Sequence, residues 1–487
     1  MKSPLQRAVT HVVVAVSMTA LLVAGCAVNP ATGDRQLMLI TEDQEIAMGR
    51  EAHEGILVSM GVYSDGQVQQ YVSGLGQELA AMSERPHLPW TFTVIDDPTV
   101  NAFALPGGFI YVTRGIMTHL NSEAELVGVL GHEIGHVTAR HGASRMSKAQ
   151  LAGLGLGVGM ILSPEFRQFG DLAQQGLGLL FLKYSRDDER QADDLGYRYM
   201  VNGGWDAREM PEVFGVLKRV SEVAGAGRLP NWLATHPDPV ERQERIRNAL
   251  DSSMMDFSQT KVNRPTYMAG LDGMVFGENP REGFFEGRTF LHPELELRID
   301  FPEDWKTQNQ RQQVAGMSEK QDAIVLLSLA QQEDPNAAAT EFLSQEGIKS
   351  GRIERGRIHG LSAAMADFEV PREGESSIRG QVAFVRYGQN TFRLLGYTVM
   401  DNWGTYGRPI NLFLMSFQRL TDRRALGVQP ARVNVVTPRS ALSLDRFQKQ
   451  FPSTVSLQTL GLINHVGEAG VVPAGLRAKQ IVGGPGK

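Results

Sequence analysis

The pentapeptide His132-Glu133-Ile134-Gly135-His136 constrains the fold of this chain more than any other stretch. It lies in a run from Ser122 to His141 that reads as one helix. Ser122 and Glu125 have capping-box spacing, and Leu126, Leu130, Ile134 and Val137 recur at helical intervals. Positions i and i+4 stack on one face of a helix, so two imidazoles so spaced can hold one zinc ion. Glu133, between them, can reach a metal-bound water. A chance HExxH in a chain of 487 residues has odds of roughly one or two in a hundred at average composition, so a third ligand has to be found.

A metzincin continuation needs Gly at 139 and His at 142, whereas the chain has Ala139 and Gly142. His141 is one residue short and points off the metal face, as a surface histidine or one that backs a ligand. The remaining option is a carboxylate on a later helix, and Ser185-Arg186-Asp187-Asp188-Glu189-Arg190-Gln191-Ala192-Asp193 supplies it. Glu189 and Asp193 are i and i+4 and face the same way. Glu189 is the candidate third ligand of a His₂Glu site with water in the fourth place. Asp193 is the candidate acceptor of the outer N–H of a ligand imidazole, which would fix its tautomer. Taken alone, Glu189 also reads as a solvated charge in a charged run.

At roughly 150 residues per domain the length suggests about three domains, and 42% hydrophobic with 21% charged residues is ordinary for a globular chain. A net charge of −6 gives no global push towards nucleic acid. The single cysteine excludes an intrachain disulfide and multi-Cys metal sites. Lys2 and Arg7 precede an apolar run, Val12 to Ala24, that is short for a membrane span and laid out as a signal peptide. Val23-Ala24-Gly25-Cys26 resembles a bacterial lipobox, which implies lipidation of Cys26 and a membrane anchor; the alternative is an N-terminal anchor with an incidental buried cysteine. Ala27, where an inner-membrane retention signal usually has Asp, implies outer-membrane sorting.

The expected fold class is α+β. A mainly helical zincin peptidase domain with a small edge-strand sheet is followed by an α+β domain and a small βααβ module. The expected boundaries are a lipoprotein signal peptide at 1–25, a tether at 26–40 and the peptidase domain at 41–255. A linker at 256–290, an α+β domain at 291–425 and the terminal module at 432–484 follow. Trp90–Ile95 reads as a strand and Asn101–Thr113 as a hairpin or edge strand after a Pro-Gly-Gly turn. The strand at Gly108–Thr113 is either a plain sheet edge or a template for an extended substrate. Residues 151–182, Gly- and Leu-rich, read as packed helices over the site or as a membrane-contacting or mobile lid. No tetratricopeptide period is present. His292, His359, Trp305 and Trp403 read as packing or surface residues.

The paired motifs HEIGH and SRDDERQAD resemble those of the CAAX prenyl protease/HtpX metallopeptidase family, a gluzincin group, and within it the periplasmic BepA-like lipoproteins. Asn101-Ala102-Phe103-Ala104 with Gly107-Gly108, and Thr235-His236-Pro237, match that family too. The resemblance covers about residues 40–250. It implies a zinc endopeptidase with His132, His136 and Glu189 as ligands and Glu133 as general base. Its substrates would be unfolded or misassembled envelope polypeptides, met at the periplasmic face of the outer membrane. It also suggests that His236 approaches the zinc in a closed, autoinhibited state; a structural histidine is the equal alternative. Unlike HtpX the chain shows no multiple membrane spans, and unlike the BepA pattern it lacks a tetratricopeptide tail. Val433–Val482 resembles a LysM module, which implies binding to peptidoglycan, although Ser440-Ala441-Leu442 replaces the usual Gly-Asp-Thr turn; a structural cap is the alternative. The competing functional class is a non-catalytic or cell-wall-directed peptidoglycan-binding lipoprotein.

Overall fold

The computed structural model describes residues 26–155, 183–223, 232–372, 374–467 and 469–484. The signal peptide expected at 1–25 and most of the stretch 151–182 lie outside the described residues. Two compact units emerge: Met1–Met274 with Val433–Ile481, and Val275–Arg432 with Val482–Lys487.

The first unit opens with an antiparallel hairpin, β1 (Cys26–Val28) and β2 (Arg35–Leu37). Met38 and Ile40 are buried against Ala143, so the apolar residues of the 26–40 stretch are covered by the unit itself. Helix α1 (Glu42–Met60) begins with a reciprocal capping box between Thr41 and Gln44, and α2 (Gly66–Ala81) is capped by Asp65. A three-stranded sheet follows, of β3 (Thr91–Ile95), β4 (Ala102–Leu105) and β5 (Phe109–Thr113).

This sheet corrects one expectation. Strand β5 is central, parallel to β3 on one side and antiparallel to β4 on the other, so Gly108–Thr113 is not an edge. All five of its residues are buried, as befits a strand covered on both sides. Among the described residues the unpaired edge beyond β5 belongs to β4. The hairpin turn between them needs Gly107 at φ 84°; a side chain there would collide with the Ile46 backbone.

After α3 (Arg114–His119) comes α4 (Glu123–Thr138), which carries the HExxH motif and is buried along its whole length. The Ser122 hydroxyl accepts from the Glu125 N–H, but the Glu125 carboxylate accepts from the Asn121 N–H rather than from Ser122. At the other end Arg85 donates to the Val137 carbonyl at 2.9 Å, and Glu45 receives both Arg85 and Arg140. Next come α5 (His141–Gly155), α6 (Arg186–Asn202), α7 (Met210–Val223), α8 (Trp232–Thr235), α9 (Pro239–Ser252) and α10 (Arg264–Leu271).

Helices α4 and α6 meet through small residues. A β-carbon on Gly196 would lie 2.9 Å from the His132 nitrogen, and one on Gly135 would lie 2.9 Å from the Ala192 carbonyl oxygen. Both distances are too short for a real side chain. The glycines let the two backbones approach closely enough for Glu189, near the start of α6, to reach both histidines of α4.

The C-terminal segment belongs to this unit. Ala431–Val436 pairs with Ala478–Gly483, and helices Leu444–Gln450 and Leu457–Ile463 lie between them in sequence: a βααβ order with a second small pair, Leu442–Ser443 and Val471–Val472. It fastens the turn that feeds α4. Buried Lys479 donates to the carbonyls of Thr118 and Leu120, both at 2.7 Å, and His465 contacts the His119 carbonyl at 2.7 Å. Tyr267, in α10, donates to the Met117 carbonyl, so part of the expected linker is built into the unit. Burial drives the Lys479 amine well below its ordinary value, with Glu125 opposing. Lys479→Met should therefore leave two buried carbonyls without donors and cost about 1–3 kcal/mol for each. Thermal unfolding of the full chain measures this; an unchanged midpoint would show that the contact does not stabilise the fold.

The second unit is sheet-rich. Its main sheet is antiparallel and runs in the order Lys349–Ser350, Leu361–Val370, Ile378–Tyr387, Asn390–Val399, Ala323–Leu329, Gln313–Met317, Lys306–Asn309, with Glu354–Ile358 also paired to Leu361–Val370. Alternation decides its faces. Val382 and Phe384 pack with Phe342 of helix Pro335–Leu343, while Ala383 and Val385 pack with Ile410 and Phe413 of helix Trp403–Met415. A four-stranded sheet including Leu297–Asp300 completes the second core. Trp305 and Trp403 pack against that core, and His359 bonds the Phe417 carbonyl. The observed chain is thus a mixture of helix and sheet with a sheet-rich C-terminal half.

Candidate metal centre

Four buried side chains converge: His132 and His136 from α4, Glu189 from α6 and His236 from the turn after α8. One ligand atom from each lies within 4.8 Å of every other. The His132 and His136 Nε2 atoms are 3.0 Å apart, and each is 3.5 Å from a Glu189 carboxylate oxygen. His236 Nδ1 sits 3.1 Å from Glu189 and 3.3 Å from His132 Nε2.

The surroundings fix which nitrogens face inward. Asp193 Oδ1 is 3.0 Å from His132 Nδ1, so Nδ1 donates to it and Nε2 is the nitrogen turned inward. Behind His136, His141 contacts Nδ1 at 2.9 Å, and its own Nε2 donates to Gln191 at 2.7 Å. This relay leaves His136 Nε2 as a lone pair. Two inward imidazole nitrogens 3.0 Å apart, beside a carboxylate, form a set that one cation can bridge. The donor set, nitrogen, nitrogen and oxygen, suits a divalent metal of the zinc type.

Glu133 is fully buried and, among the described residues, neither carboxylate oxygen has a hydrogen-bond partner. His236 Nε2 lies 3.7 Å from Glu133 Oε1. A buried carboxylate left so is expensive unless something outside the protein meets it.

Burial alone would raise the Glu189 carboxyl. The charges of His236 and Arg242, with hydrogen bonds from His132 and His236, outweigh it and hold the group well below the ordinary carboxylate range. Asp193 is lowered in the same way: burial opposes, and Arg242 prevails. Both therefore stay ionised at neutral pH.

The structure thus brings His132, His136, Glu189, Asp193, Glu133 and His236 into one place. It also places residues there that sequence reasoning passed over. Tyr184 stacks on His136 with ring centres 3.8 Å apart, and Trp232 stacks on His236 at 4.5 Å. Arg242 on α9 pairs with both Glu189 and Asp193 at 2.6 Å. Two carboxylates at i and i+4 aimed into a core were the signal that a buried cation was needed. His141 is not a surface residue; it is the buried partner of His136. Cys26 opens β1, remote in sequence from this cluster.

Residues 66–250 match the family model "Peptidase family M48". Among similar proteins, a beta-barrel assembly-enhancing protease of Vibrio cholerae is 32% identical over 248 residues, 48% of this chain and 51% of the relative. Mitochondrial metalloendopeptidase OMA1 of Arabidopsis thaliana is 32% identical over 201 residues, 40% of this chain and 38% of the relative. The Escherichia coli K12 beta-barrel assembly-enhancing protease is 26% identical over 283 residues, 56% and 54%. The chain spans about half the length of these relatives or less. The matched region contains the helices of His132, His136 and Glu189 and, with His236, the whole cluster able to bind a metal. No helix among the described residues is long and apolar enough to cross a membrane.

Proposed function

We propose that this chain, whose residues 66–250 match peptidase family M48, is a zinc-dependent endopeptidase acting on unfolded or misassembled proteins of the cell envelope. The observation that carries the reading is the convergence of two imidazole nitrogens and one carboxylate beside a buried glutamate that has no hydrogen-bond partner among the described residues. His132, His136 and Glu189 hold the ion. When bound, zinc makes a water acidic enough to be deprotonated near neutral pH and polarises the scissile carbonyl. Glu133 accepts a proton at its free carboxylate oxygens and returns it to the leaving amine. Asp193 and His141 keep His132 and His136 in the tautomers that face inward. The edge of β4, with Ala104, Leu105 and Pro106 lining a narrow cleft shared with His136 and Tyr184, offers backbone to an extended substrate. Recognition through main chain favours polypeptides that are already unfolded.

The relatives named as enhancing β-barrel assembly support an envelope setting. Lipidation at Cys26 would tether the chain to the outer membrane, on its periplasmic face. The βααβ segment is the candidate contact to peptidoglycan. The first test is casein cleavage by the purified full chain, blocked by a chelator and restored by Zn²⁺. Cleavage that survives complete metal removal would overturn the reading.

His236 gives the site a closed state in this reading. It sits against Glu189 and Glu133, where a substrate carbonyl and its attacking water would have to come. His236→Ala should therefore raise basal casein cleavage several-fold while zinc stays bound. An unchanged rate would assign the residue a packing role.

A further inference from the structure

Arg242 is fully buried, yet it belongs to none of the roles assigned above. Its Nη1 lies 2.6 Å from Glu189 Oε2. Its Nη2 donates to Asp193 Oδ1 at 2.6 Å and its Nε to Asp193 Oδ2 at 2.9 Å, a two-pronged grip. Nη2 also lies 3.3 Å from His132 Nδ1. The guanidinium carbon sits 4.5 Å from the centre of the Phe214 ring and 4.7 Å from that of Trp232, so two aromatic faces flank the cation.

We propose that Arg242 is the positioning residue of the metal centre: one guanidinium fixes Glu189 as a ligand and Asp193 as the orienting partner of His132. The inference rests on the reading of the cluster as a metal site. Three carboxylates, those of Glu133, Glu189 and Asp193, are buried in one pocket. A divalent ion and the buried Arg242 guanidinium together balance them, with the partly exposed Arg245 reaching only Asp193, at 3.5 Å. Geometry adds to charge. A carboxylate free to rotate spends part of its time turned from the ion; with Arg242 Nη1 against Glu189 Oε2, that oxygen faces His132 and Oε1 faces His136, each at 3.5 Å.

The test is zinc affinity of the full chain, by competition with a chromophoric chelator, for wild type, Arg242→Lys, Arg242→Met and the control Arg247→Met. Arg247 lies on the same helix and pairs at the surface with Glu212. Melting of each metal-stripped protein is followed in parallel. Loss of a partner that orients a ligand typically weakens metal binding about 10- to 100-fold. Arg242→Met should reach the upper end of that range. Arg242→Lys, which keeps the charge but lacks the planar fork, should fall between it and wild type. Arg247→Met should match wild type. A purely structural arginine would lower the melting temperature and leave the zinc affinity of the folded protein unchanged, and that result would overturn the inference. If the Met variant does not fold, Arg242→Lys decides: affinity equal to wild type overturns the inference, weaker affinity upholds it. A wild-type chain that binds no zinc would instead remove the metal reading on which the inference stands.

Discussion

Glu133→Gln should lower casein cleavage by about 100- to 10,000-fold and leave the zinc content unchanged. The amide has the shape of the carboxylate but cannot take up a proton at neutral pH. Because neither Glu133 oxygen has a hydrogen-bond partner among the described residues, the substitution breaks no hydrogen bond there. It also removes a buried charge, so the variant should melt no lower than wild type, and a rise is expected where an active site holds a group at a cost to stability. Activity lost with metal and fold intact is the signature of a group that moves a proton. Full activity in Glu133→Gln would mean that another residue does this work, and metal loss would move Glu133 from the chemistry to the ligand shell.

The second large effect is expected at Glu189. Glu189→Ala removes the only carboxylate among the four clustered residues and strands Arg242 without one of its two partners. Zinc stoichiometry should fall from near one to near zero in protein purified without added metal, and cleavage should vanish with it. Stability should drop as well, since breaking a buried ion pair from one side costs about 3–5 kcal/mol. Metal analysis and thermal melting of the same preparation check both halves. Unchanged zinc would place the third ligand elsewhere, with His236 the nearest candidate at 3.3 Å from His132 Nε2.

The parts of the site that lay on single helices were legible in the sequence. His132, Glu133 and His136 share a face because helical spacing is fixed, and the same rule aligned Glu189 with Asp193. What joins the two helices was not legible, because glycines at 131, 135 and 196 announce a close approach without naming the partner. For His141 the sequence left a surface role and a role behind a ligand both open, because the helix stops first. Arg140 takes a left-handed turn at φ 61°, so the direction of His141 no longer follows from spacing along α4. Arg242 lies 53 positions beyond Glu189 and reads locally as one more exposed arginine in a charged helix.

The sheet shows a similar limit. The Pro-Gly-Gly hairpin was recognisable, but the parallel pairing of Thr91–Ile95 with Phe109–Thr113 is non-local and moved the edge from β5 to β4. The unbroken apolar run of β5 was the available clue to a central position. In the tail, the order strand, helix, helix, strand could be read from periodicity. The use of Lys479 as a buried clamp on the turn before α4 could not, because a lysine in isolation reads as solvent-facing.

The most direct test of the central claim is anomalous diffraction from a crystal of the full chain, collected above and below the zinc absorption edge. The expected result is one strong peak bonded to the Nε2 atoms of His132 and His136 and to the Glu189 carboxylate. No peak there, or a peak bonded to other residues, would contradict it.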